Sequence, residues 1–172
     1  MKLYRAKVPL IAKEVVDRLI AEQCIEVKIE NREEAERDLG AIMDEYLRRD
    51  SELREQIRDH MADQHIQYSE YGRTRKKIAD ELGHPLGDDV ERFLCRQFIE
   101  NMMISPHVEE VFEEDRVMYK KVMEILKEND VDENEIREEA ASRIKNVAEG
   151  TVDYEIALQD AVKAVKKRRG LI

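Results

Sequence analysis

The residues of this 172-residue chain best suited to chemistry are four histidines, one acidic cluster and two basic runs. The histidines are His60, His65, His84 and His107. A di-metal carboxylate bundle needs two Glu-x-x-His pairs on facing helices, with two more inward glutamates. Glu81-Leu82-Gly83-His84 has the spacing, but Gly83 should end a helix there, and no second copy occurs. His60 and His65 fall on different helical faces. His107 follows Pro106 in the expected first turn of a helix, where a structural or solvated role suffices. No metal and no cofactor is expected.

Glu109, Glu110, Glu113, Glu114 and Asp115 form the acidic cluster. General acid–base catalysis would need one of them in a cleft with a shifted pKa. Negative charge near a helix start is favourable without any ligand. Docking of a cation or a basic partner is the functional alternative. Phosphate-loop, dinucleotide-binding and nucleophile-elbow motifs are absent. Neither Cys24 nor Cys95 belongs to a Cys-x-x-Cys pair or an activating environment. No residue is assigned a catalytic role, and an enzyme is not expected.

The first basic run, Arg73, Arg75, Lys76 and Lys77, leads into Ile78-Ala79-Asp80-Glu81-Leu82-Gly83. That arrangement resembles the opening of a helix-turn-helix. The next helix would then read bases, yet it starts with Asp88, Asp89 and Glu91 and continues apolar. Like charge would repel phosphates there. The simpler reading is the polar face of an amphipathic helix stopped by Gly83. The second run, Lys166, Lys167, Arg168 and Arg169, complements the dipole at a helix C-terminus before Gly170. If both runs shared one face they could serve a nucleic-acid- or ribosome-associated factor. The net charge of −10 opposes nucleic acid and anionic membrane for the chain as a whole.

These residues need helices to hold them. The chain has 41% charged residues, six Gly and three Pro, and its commonest residues are good helix formers. An apolar stripe runs from Pro9 to about Glu22. Cys24 to Glu30 alternates like a strand, but with no evident partner it reads as an extended connector. Asn31 and Glu34 suggest a capping box, opening one long helix to about Ala62. A third helix is expected over 69–82. Residues 88–104 are apolar nearly all round, as in a buried axis, with Leu94 and Phe98 in its core. Ser105-Pro106 reads as the start of a fifth helix through Leu126. Asp132 starts a sixth, stopped by Gly150, and Thr151 or Asp153 a seventh. No run reaches the length of a membrane span, and no secretory leader is evident. Two unpaired cysteines suit a reducing cytoplasm.

Residues 43–61 echo residues 108–126 when Asp50 is set over Asp115. The echo suggests a pseudo-repeat of 9–83 and 88–150, with 152–169 as a C-terminal helix. The expected fold is all-α: a single domain over 1–172, a compact bundle of about seven helices. The echo allows two duplicated three-helix units around the central helix at 88–104.

Several segments read together as a familiar set: LYRAKVPLIAKEVVDRLI at 3–20, DEYLRRD at 44–50, YSEYGRTRKKIADELG at 68–83, GDDVERFL at 87–94, SPHVEEVFEED at 105–115 and the closing KKRRGL. In that order they resemble a bacterial family known as the domain of unknown function numbered five hundred and seven. The resemblance spans essentially the whole chain. It implies a bacterial cytosolic protein and supplies no activity or ligand. The reading that follows is a non-catalytic helical interaction or scaffold module, with an unknown protein partner or a second copy of itself. Nucleic acid is the alternative partner, and membrane is not expected.

Overall fold

Val8–Ala21 forms α1, with a proline in its first turn. Ile11, Val15, Val16 and Leu19 recur along one face and are almost wholly buried. The computed structural model describes residues 1–145 and 147–172. Arg32–Asp63 is one uninterrupted helix, α2, as its unbroken stripe predicts. Ion pairs such as Arg48 with Glu45, at 2.7 Å, run along its exposed side. The expected capping box does not form. A 3-10 turn at Ile29–Asn31 runs straight into α2, so Asn31 has helical backbone (φ −96°, ψ −4°) and makes no side-chain cap. A capping side chain needs an extended backbone to reach the orphan N–H groups.

Tyr71–Leu82 is α3, ended by Gly83 with φ +61°, a left-handed cap that a side chain would strain. Asp89–Ile104 is α4. Leu94, Cys95 and Phe98 are completely buried in it, as the all-round apolar pattern predicts. Its last residues, Met103 and Ile104, are exposed.

The segment after α4 departs from the expectation of a helix at Ser105. Ser105 has extended backbone; its hydroxyl donates to Asp38 Oδ2 at 2.7 Å and accepts from the His107 N–H at 3.2 Å, which caps a single turn and not a helix. Glu110–Val111 is a short strand, β2, pairing antiparallel with Ile25–Glu26, β1, as Ile25↔Val111 and Glu26↔Glu110. The alternation at Cys24–Glu30 therefore did mark a strand. Its partner lay hidden in a stretch whose apolar spacing also fits a helix. The fifth helix, α5, starts later, at Asp115–Glu128.

Glu133–Ala141 is α6, capped by Asp132, whose side chain accepts from the N–H groups of Asn134 and Glu135. It ends well before the expected Gly150. Residues 142–145 are turn or irregular, and Asn146 lies outside the described residues. Val152–Arg168 is α7, capped by the Thr151 hydroxyl.

Three apolar clusters hold these elements. The largest joins α1, α4, α5 and the first half of α2. A second joins the far half of α2, through Leu53, Ile57 and Met61, to Ala79 of α3. A third joins α6 and α7 to Tyr4.

One constant shift along the chain relates buried positions in the two halves. It carries Ile11 onto Leu94, Val15 onto Phe98 and Leu19 onto Met102. It also carries Leu39 onto Val122, Met43 onto Leu126, Leu53 onto Ile136 and Ile57 onto Ala140; every one of these is buried. The same shift sets the first residue of α2 on the first residue of α5, and all of α3 within α7. In this register α2 corresponds to α5 and α6 together. The echo that set Asp50 over Asp115 used a different register, and its Val108–Phe112 positions are not helical.

Candidate functional site

Asp50 sits on the buried stripe of α2, between Tyr46 and Leu53, and is 4% exposed. A carboxylate there must be paired to be tolerated. Arg54, one turn on, pairs with Oδ2. Arg75 of α3 donates from Nη2 to Oδ1 at 3.1 Å. His84, just past the α3 cap, places Nε2 3.4 Å from the same oxygen. That contact is too poorly aligned to count as a hydrogen bond, and both His84 ring nitrogens are buried without a partner. Burial holds the His84 pKa below its ordinary value, against the opposing pull of Asp50. Tyr46 stacks on His84, with ring centroids 5.0 Å apart and planes 12° from parallel. Its hydroxyl donates to the Pro85 carbonyl at 3.3 Å, and burial beside Asp50 pushes it up to about 12. The cluster therefore ties α3 and the following turn to α2.

Asp38, Ser105 and His107 bring together the residue types of a hydrolytic triad, but the wiring differs. Ser105 Oγ and His107 Nδ1 both meet Asp38 Oδ2, at 2.7 and 3.0 Å. A triad needs the imidazole between serine and acid, so that it can take the hydroxyl proton. Here the serine gives its hydrogen bond to the carboxylate. The set anchors the turn after α4 to the first half of α2. Cys95 donates to the Tyr119 carbonyl at 3.4 Å; burial pushes its thiol up to about 12, far from a reactive thiolate. Among the described residues no group of three or more His, Cys, Asp or Glu is placed to hold a metal.

The basic runs lie on different helices with different neighbours. Arg75 is committed to Asp50, and Lys77 lies 3.9 Å from Glu81. In the tail, Lys166 pairs with Glu133 at 2.8 Å, Arg168 pairs with Glu139, and Arg169 reaches Glu139 and Glu135 at 2.7 and 3.3 Å. Arg73, Lys76 and Lys167 are exposed and make no ion pair among the described residues. The first run rides on α3 against α2, the second on α7 against α6.

A groove that sequence reasoning missed lies at the elbow where α2 hands over to α3. Its floor is Met61 and Ile66, and Arg54, Arg58, Tyr68 and Tyr71 stand around it, enclosing about 680 Å³. Tyr68 is 85% exposed and stacks on Tyr71 at 5.7 Å. No carboxylate lines this groove, although the chain has 40 acidic residues. Arg58 has no ion-pair partner among the described residues. The sequence carried a faint signal: Arg54 and Arg58 are one turn apart on α2, followed by two tyrosines in the turn.

The acidic cluster lies at the other end of α2. Glu110 is in β2, and Glu113 and Glu114 precede α5. Phe112 stands among them, 54% exposed. Lys28 reaches Glu109 at 3.0 Å; Glu110, Glu113 and Glu114 have no ion-pair partner among the described residues.

Among the described residues, no helix is long and apolar enough to cross a membrane. No curated protein matches this chain. A family model described as a protein of unknown function, DUF507, matches residues 1–171, and the chain belongs to that family.

Proposed function

We propose that this protein is a non-catalytic interaction module that docks a partner protein at the α2–α3 elbow. The observation that carries this reading is the groove there: an apolar floor rimmed by two arginines and two tyrosines, with no carboxylate in its lining. Tyr and Arg are the residues that most often dominate protein interfaces, and an apolar floor gives them a desolvated centre. The buried Asp50 cluster holds α3 in place, so the groove is formed before anything binds. A nucleic-acid role through Arg73 to Lys77 and Lys166 to Arg169 has less support. Five of those eight cations already face carboxylates. Two buried free thiols fit a bacterial cytoplasmic setting.

A photo-crosslinking residue at Tyr68, in the full chain inside its native cells, tests the docking surface. The expected result is a defined protein adduct, absent when the crosslinker replaces the exposed Lys163. Adducts to RNA alone, or equal labelling from both positions, would overturn the reading.

A further inference from the structure

We infer that the occupant of the elbow groove is the acidic segment 109–115 of a second copy of this chain, in a pair closed by two such docks. This rests on reading the groove as a docking surface.

The two surfaces are complementary in detail. The groove offers an apolar floor, Met61 and Ile66, beside the cations Arg54 and Arg58. The segment offers an exposed aromatic, Phe112, between acids that are unpaired among the described residues, Glu110 before it and Glu113 and Glu114 after it. Phe112 on the floor would place carboxylates next to the arginines. Its backbone is already ordered by the bond from its N–H to the Cys24 carbonyl, at 2.8 Å, so little freedom is lost on docking.

The segment cannot reach the groove of its own chain. Asp38, near the start of α2, anchors the turn that leads into it through Ser105 and His107. Arg58 lies about 30 Å further along that helix, at about 1.5 Å per residue. The two surfaces lie towards opposite ends of α2, so each segment can fill only another copy's groove. In a pair related by a two-fold axis both docks form at once and the assembly closes, whereas a single head-to-tail contact would propagate into a filament. A single-stranded nucleic acid suits the groove less well. Tyr68 and Tyr71 spend one face each on one another, and Arg54 is shared with Asp50. Stacked bases need successive free platforms along a cationic track.

Sedimentation velocity on the full chain over rising concentration tests the pairing. A dimer that loosens with added salt is expected, since exposed charges are screened over roughly 8 Å at physiological ionic strength. Arg58→Glu should weaken it by about tenfold or more, as should the double variant Glu113→Arg, Glu114→Arg. Circular dichroism should show both still folded. Mixing the two should restore pairing, because each dock in the mixed dimer again joins opposite charges. Phe112→Ala should weaken pairing without changing its salt dependence. A wild-type chain that stays monomeric throughout, or a dimer indifferent to these variants, would overturn the inference. A monomer that still gives a specific protein adduct at residue 68 would overturn self-pairing and leave the docking surface standing. A dimer lost on Arg58→Glu and rescued by mixing would support both.

Discussion

Asp50 and Glu133 occupy equivalent places in the two halves of the chain, and they are treated differently. The shift that sets Leu53 on Ile136 also sets Asp50 on Glu133. Asp50 is met by Arg75 of α3, with His84 beside it, and Glu133 by Lys166 of α7 and by Lys2 near the chain start. The Asp50 side chain is 6% exposed and the Glu133 side chain 38%. The cause lies a few residues upstream. In the first half, Tyr46 to Arg49 continue as helix, and Arg48 is paired on both sides with Glu45 and Glu52. In the second half the equivalent stretch is Asn129-Asp130-Val131-Asp132. Asn129 turns its side-chain amide to Glu14 at 2.8 Å and to the Ile125 carbonyl at 3.0 Å, while Asp132 caps the next helix. Such short polar side chains compete for backbone groups and end helices. The short polar residues at 129–132 thus separate α5 from α6 where α2 runs on, and the acid after the break sits half-open at a new helix start. A break in a helix changes the burial of everything beyond it.

The comparison can be broken at its core first. Phe98 and Val15 are equivalent and both fully buried. Phe98→Ala should cost about 3–5 kcal/mol in denaturant unfolding and Val15→Ala about 2 kcal/mol. A harmless Phe98→Ala would remove α4 as the axis of the largest cluster. Next come the acids. Asp50→Ala leaves the half-buried Arg75 without its counter-charge and should cost about 2–3 kcal/mol. Glu133→Ala, at a half-open site, should cost about 1 kcal/mol or less. Equal losses would mean that burial does not separate the two.

Gly40 in α2 stands where α5 has Met123. A methyl group there would meet Val8 at 3.8 Å, an ordinary contact. Gly40→Ala should therefore raise stability by about 0.5–1 kcal/mol through helix propensity, read as a shifted denaturation midpoint. The smallest effect is a slope. His84 has a lowered pKa in the folded chain, so the unfolded chain binds its proton more readily. Stability should be whole above the unfolded value of about 6.5 and should fall as the pH drops through the window between the two pKa values. His84→Gln should flatten that part of the melting profile. The second half places Lys167 at this position.

The sequence by itself determined the helical class, the long second helix and the buried axis at Leu94 and Phe98. Those rest on local propensity and on apolar spacing, which a single stretch of chain expresses alone. It also placed the Asp132 cap and offered Thr151 as one of two starts for α7, since such caps find their partners within a turn. The start of the fifth helix was not legible. Ser105-Pro106 spells a helix start, but Asp38, distant in sequence, takes the serine hydroxyl, and β1 takes the backbone of Glu110 and Val111. Asp50 could have been flagged as an acid on an apolar stripe; which cations answer it depends on how α3 folds back. The basic runs were visible, yet Glu133, Glu135 and Glu139 spend most of the second one only because α6 and α7 lie side by side. The elbow groove needed the whole α2–α3 turn. Charge and periodicity are written locally, whereas pairing is decided by which distant segments the core forces into contact.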